Sequence, residues 1–98
     1  MALKQLESSF YGFMALLKVL ALNFEDAEKL LSKGIESNPA FPYNYGLRAY
    51  VRIRLDDIDG AIKDCSEKIR LKPDDSSSYA LRGWAYYCLG KYSKAIDD

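Results

Sequence analysis

The chain has 98 residues, 49 % hydrophobic and 13 % aromatic, with 14 Lys and Arg balanced by 14 Asp and Glu. That is sequence for one small domain, able to fold alone with little margin. Zero net charge argues against a nucleic-acid binder, and the lack of any histidine removes His-based acid–base, nucleophilic and metal chemistry.

Leu3, Leu6, Phe10, Phe13, Leu17 and Leu20 step by 3, 4, 3, 4 and 3 residues, which predicts one long helix from about Ala2 to Leu22. Its apolar stretch from Phe13 to Leu22 falls short of the ~20 residues of a membrane span. Lys18 within that stretch and Glu7 before it argue against a secretory signal. Asn23 is a candidate N-cap for a second helix carrying Phe24, Ala27, Leu30, Leu31 and Ile35, which ends near Asn38-Pro39. Tyr45, Ala49 and Ile53 belong to a third. Asp57 caps a fourth, with Ile58, Ala61, Ile62, Cys65, Ile69 and Leu71 on its apolar side and Pro73 as its stop. Asp74, Asp75 and serines 76–78 offer caps for a fifth helix, where Tyr79, Gly83, Tyr86 and Tyr87 recur at helical spacing and Gly90 closes it. Tyr92, Ala95 and Ile96 begin a further stripe. The expectation is an all-helical chain of five helices in hairpin order, with at most a short extra segment.

These elements repeat. Ala27, Ala61 and Ala95 stand 34 apart, as do Tyr11, Tyr45 and Tyr79, and Phe24, Ile58 and Tyr92. Ala15, Ala49 and Gly83 keep the same step, as do Pro39 and Pro73, and Ile35 and Ile69. A fixed period of this length marks a repeat array whose units bury their apolar faces by stacking. The single domain 1–98 divides into units of about 8–41, 42–75 and 76–98, the third stopping partway. Small residues at Ala49 or Gly83, and at Ala61 or Ala95, let the helices of a hairpin approach closely.

One further pairing follows the repeat. Arg48 and Arg82 each precede an aspartate, Asp64 and Asp98, by 16 residues, and the matching residues of the first unit are Met14 and Leu30. Both positions turn apolar together, which predicts contact across the hairpin. An Arg–Asp pair that fixes helix register is the structural reading, and a ligand-gripping pair is the functional one.

Cys65 and Cys88 form neither a disulfide framework nor a zinc set, so free thiols and a reducing cytoplasmic compartment are expected. Asp56, Asp57 and Asp59 make an acidic turn without the glycine and closing glutamate of a calcium loop. No Gly-rich phosphate loop is present. The chain is read as a non-enzyme without cofactor or metal.

The positions quoted resemble the tetratricopeptide repeat, a 34-residue helix–turn–helix with an early aromatic, a mid-helix small residue, a later alanine and a closing proline. The segment from Ser76 to Ile96 resembles it almost position for position, and unit two well. Unit one resembles it through Tyr11, Ala15, Phe24, Ala27 and Pro39. The chain departs from the family pattern at Lys18 and Arg52, where an aromatic is usual, at Asp56 in place of a turn glycine, and in ending at Asp98, where the family adds a covering helix.

The resemblance implies an α-solenoid whose first helices line a concave groove. It places Ser9, Gly12, Leu16, Val19 and Leu20 there in unit one, with Tyr43, Gly46, Tyr50, Ile53 and Arg54 in unit two. Ser77, Ala80, Trp84, Tyr87 and Cys88 follow in unit three. The residues expected to carry binding are Tyr43, Tyr50, Ile53, Arg54, Trp84 and Tyr87, since Tyr and Trp are common interface anchors. Co-chaperone members grip a C-terminal carboxylate with Lys, Asn and Arg at positions matching Gly12, Leu16, Leu47, Ser77 and Leu81, and none of those residue types is present here. The implied function is a protein or peptide interaction module, without nucleic-acid or membrane partners. The alternatives are self-association through the terminal helices, for example as a homodimer, or the non-catalytic part of a longer enzyme.

Overall fold

The computed structural model describes residues 2–90. Within them five α-helices follow one another: α1 (Ala2–Leu20), α2 (Phe24–Ser37), α3 (Tyr43–Arg54), α4 (Ile58–Leu71) and α5 (Ser76–Cys88). No strand occurs among the described residues. The further stripe at Tyr92, Ala95 and Ile96, and the partner aspartate Asp98, lie outside them.

The starts of α2, α4 and α5 are held by the expected kind of cap. Asn23 Oδ1 accepts from the Asp26 N–H, Asp57 Oδ1 from Gly60, and Asp75 Oδ1 from Ser77. Each such cap contributes about 1 kcal/mol. The turns between helices obey the 34-residue step too. Leu22, Asp56 and Gly90 all sit in the left-handed region, with φ of 59°, 65° and 72°. The Leu22 N–H donates to Val19 O and the Asn23 N–H to Lys18 O, and Asp56 and Asp57 bond to Ile53 and Arg52 in the same way. This is the Schellman closure, usually built on glycine. Asn23 and Asp57 therefore end one helix and cap the next.

Two apolar clusters hold the helices together. Ala15, Ala27, Leu31 and Val51 form one, and Ala49, Ile53, Ile58, Ala61, Cys65 and Ala85 the other. The small residues act as the sequence predicts. Ala15 and Ala27, and Ala49 and Ala61, are wholly buried and share a cluster in each case.

Polar ties fix register beneath this packing. Arg48 Nη1 donates to Ser32 Oγ at 3.0 Å, and 34 residues later Arg82 Nη1 donates to Ser66 Oγ at 3.3 Å. Arg52 reaches Glu28, Asp57 and Asp64, so its charge is satisfied where the family carries an aromatic. Asn44, buried at the meeting of α1, α2 and α3, donates to the carbonyl and hydroxyl oxygens of Ser8. Ser8 Oγ in turn donates to Gly34 O.

Candidate functional site

Two hollows lie beside one another and involve α1, α3 and α5. The first, of about 210 Å3, is walled by Ser9, Gly12, Phe13 and Leu16 of α1, Phe41 ahead of α3, and Tyr43, Asn44 and Leu47 of α3. The second, of about 380 Å3, is walled by Gly46, Leu47 and Tyr50 of α3, Cys65 and Lys68 of α4, and Ser77, Ser78 and Leu81 of α5. Leu47 belongs to both and joins them into a groove. The period explains the composition of the walls: Phe13, Leu47 and Leu81 are 34 apart, as are Leu16 and Tyr50, and Trp84, a further 34 on, stands beside Tyr50 outside the two hollows.

All five positions that match the carboxylate-gripping set line one hollow or the other: Gly12 and Leu16 the first, Ser77 and Leu81 the second, Leu47 both. Each is small or apolar, so none of the five offers a cation to a chain-terminal carboxylate. Lys68 is the cation in the wall of the second hollow, and its ammonium is engaged with Asp75 at 2.9 Å.

The expected binding residues divide into three groups. Tyr50, Trp84 and Arg54 fall into one line. Tyr50 is half-buried, edge-on to Phe24 at 6.5 Å and 6.2 Å from Trp84, while the Arg54 guanidinium lies 5.1 Å from the Phe24 ring centre. Trp84 keeps 40 % of its surface open, and Tyr87, three residues along α5, is exposed. Tyr43 stands apart at the α3 start. Phe41 meets its ring edge-on, the Lys68 and Lys72 ammoniums flank it, and Lys72 Nζ donates to its hydroxyl.

Ile53 is a correction: it is not on the groove. It is 8 % exposed and packs with Ala49, Ile58, Ala61 and Ala85, because α3 must bury its apolar side against both α4 and α5.

Leu47 and Leu81 wall the hollows and Phe24 packs against Tyr50 outside both; none of the three is in the groove-facing set that the resemblance implies, although Leu47 and Leu81 match carboxylate-gripping positions. The 34-residue column of Phe13, Leu47 and Leu81 carried the signal for two of them. Phe24 had none, because its role depends on α3 crossing the start of α2.

The Asp75 carboxyl is held below the usual carboxylate range, first by the hydrogen bond from Lys68, then by Ser77. Burial, assisted by the Asp64 charge, pushes the Cys65 thiol up to about 11. A thiol so placed is neutral at pH 7 and a poor nucleophile. Cys65 and Cys88 are both free. Among the described residues, no group of three or more His, Cys, Asp or Glu could hold a metal ion, and no helix is long and apolar enough to cross a membrane.

No family model matches the sequence. A FAM10 family protein of Arabidopsis thaliana is 36 % identical over 76 residues, covering 78 % of this chain and 17 % of that protein. A TPR repeat-containing protein of Methanocaldococcus jannaschii is 36 % identical over 67 residues, covering 68 % of this chain and 21 % of its own length. The chain thus spans about a fifth of the curated relatives it matches. Among solved structures, the second TPR of Spaghetti (RPAP3) bound to HSP90 peptide SRMEEVD superposes with a TM-score of 0.86 at 23 % identity, over 99 % of this chain and 92 % of that one.

Proposed function

We propose that this chain, which belongs to the tetratricopeptide-repeat family, is a non-catalytic interaction module that takes a peptide or partner segment in its apolar groove. Tyr50 and Trp84, with Leu47 and Leu81 beside them, supply the anchors, and Tyr43, Arg54 and Tyr87 the margins. Residues 1–98 are read as one domain, with units at 8–41, 42–75 and 76–98.

The observation that carries this reading is the neutrality of the five positions Gly12, Leu16, Leu47, Ser77 and Leu81 in the groove walls. A TPR that holds the acidic peptide SRMEEVD shares this fold, but here the matching surface favours apolar side chains over carboxylates. Stiff aromatics beside small residues suit a helix or extended segment that inserts Leu, Phe or Trp. Zero net charge and free thiols support a protein partner in the cytoplasm rather than a nucleic acid or a membrane surface.

Trp84 is the single tryptophan, so its fluorescence reports on the groove directly. A displayed random-peptide library panned on the chain is expected to return apolar anchors, and titration of a selected peptide to shift Trp84 emission. Trp84→Ala should weaken that peptide by about 2 kcal/mol, roughly 30-fold, with helicity intact. Equal affinity for SRMEEVD and the selected peptide would overturn the reading, and so would lost helicity with unchanged affinity.

A second reading, self-association as a homodimer, draws on a different surface. Leu3, Leu6, Phe10, Phe13, Leu17 and Leu20 are all more than half exposed along α1.

A further inference from the structure

The six exposed side chains of α1 follow the 3–4 spacing of a coiled-coil seam, with Leu3, Phe10 and Leu17 alternating with Leu6, Phe13 and Leu20. Ser8 and Ala15, each 0 % exposed, sit on the opposite side and seat the helix on α2 and α3. Most of the seam therefore points away from the rest of the chain, with Phe13 at its edge also walling the first hollow. Ser9, Met14 and Leu16 border it without charge, and Glu7 is the one ionised residue beside it.

The internal repeats show what this face does when it is covered. The residues 34 places after Phe10, Phe13 and Leu17 are Asn44, Leu47 and Val51. Asn44 and Val51 are buried against the preceding hairpin, Val51 beside Leu31 and Asn44 on Ser8. The same face of α1 is apolar and open.

Its sequence is also self-complementary. About a point between Tyr11 and Gly12, Leu3 mirrors Leu20, Leu6 mirrors Leu17, and Phe10 mirrors Phe13. In an antiparallel helix pair, the two kinds of seam position face one another across the interface. Two copies of α1 so arranged would match leucine with leucine at both ends and phenylalanine with phenylalanine in the middle. Six side chains of this size expose on the order of 600 Å2 per copy, near the upper limit for a typical monomer's largest apolar patch. Burying both copies removes roughly 1,200 Å2, enough to enter the range of stable interfaces.

We propose that this chain forms a two-fold homodimer through an antiparallel α1–α1 pair, with Leu3 against Leu20, Leu6 against Leu17 and Phe10 against Phe13 of the second copy. This rests on the self-association reading and gives it a geometry. Such a dimer would narrow the first hollow at Phe13, whereas no α1 residue walls the hollow beside Tyr50 and Leu81, so peptide binding there stands or falls separately.

Sedimentation equilibrium of the 98-residue chain from micromolar to millimolar concentration tests it. The expected species is a dimer, and Leu6→Glu alone or Leu17→Lys alone should be monomeric with unchanged helical circular dichroism, since both residues are exposed. Mixing the two variants one to one should restore dimers, because the antiparallel register sets the new carboxylate against the new ammonium. A parent chain that stays monomeric, single variants that still dimerise, or a mixture that stays monomeric would each overturn the proposal. Titrating the selected groove peptide against each variant, followed by Trp84 emission, keeps failure of the dimer apart from failure of the groove.

Discussion

Arg48 and Asp64 make a two-point contact across the α3–α4 hairpin: Nε donates to Oδ2 and Nη2 to Oδ1, each at 2.8 Å. Their side chains are 15 % and 4 % exposed. Arg52 Nη1 donates to the same carboxylate at 3.1 Å, so two guanidiniums share one buried aspartate. Asp64→Ala strands Arg48, while Arg52 keeps Glu28 and Asp57, and removing one side of a buried pair is far costlier than the pair's own contribution. The expected loss is on the order of 3 kcal/mol in urea unfolding. Arg48→Met combined with Asp64→Leu, the pair that unit one carries as Met14 and Leu30, should recover at least half of it. No recovery in the double variant would place the value of the contact elsewhere.

Leu22 and Asp56 occupy left-handed turn positions where Gly90 stands in the third turn. Both are exposed, so little packing offsets the strain of a side chain there, roughly 1 kcal/mol. Glycine relieves that strain but adds freedom to the unfolded chain. Asp56→Gly and Leu22→Gly should each raise stability by about 0.5 kcal/mol, and Gly90→Ala should lower it by about 1 kcal/mol. Thermal unfolding of the three variants checks the opposite signs.

These residues also mark how far the sequence could be read. The period located the helices, and the caps at Asn23 and Asp57 followed from residue type at a helix start. Arg48 with Asp64 was visible because two positions changed character together between units. Ile53 misled, because its place on α3 matches a groove position in the family while the crossing of α4 and α5 turns it inward. The Asn44–Ser8 contact left no trace in the period: Asn44 stands where the other units carry Phe10 and Ser78, so the repeat gave no residue type to expect. Lys68 is likewise defined by what it meets, Tyr43 and Asp75, from two other parts of the chain.

Gly34 is required by that buried asparagine. A Cβ there would lie 2.6 Å from Asn44 Nδ2, 3.2 Å from Tyr11 Cβ and 3.3 Å from the Ser8 carbonyl oxygen. Alanine is the better helix former by about 1 kcal/mol, yet Gly34→Ala should destabilise by at least that much, since Asn44 is hydrogen-bonded and nearly sealed from solvent. Asn44→Ala introduced alongside removes the nearest clash, so the two changes together should cost less than their sum. Additive losses in a double-mutant cycle would show that the slot is not shaped around Asn44.

Asp75 links the groove to pH. Its carboxylate accepts from Lys68 Nζ, from the Ser77 N–H and hydroxyl, and from the Ser78 hydroxyl. Those contacts lower its pKa, with Lys68 the largest cause. A carboxyl depressed in the folded state adds stability that is fully present above its unfolded value of about 3.9 and is lost as pH falls through the lower folded value. Protonation there releases Lys68 and the start of α5, where Ser77 and Ser78 wall the second hollow. Peptide affinity should therefore hold through the ordinary carboxylate range and fall only well below about pH 4, where the depressed Asp75 carboxyl is protonated in the folded chain. Asp75→Asn keeps an oxygen for the cap but loses the charge, so its affinity should start lower and change less across the same window. An unaltered acid limb in the variant, measured by Trp84 emission, would place the sensitive group elsewhere.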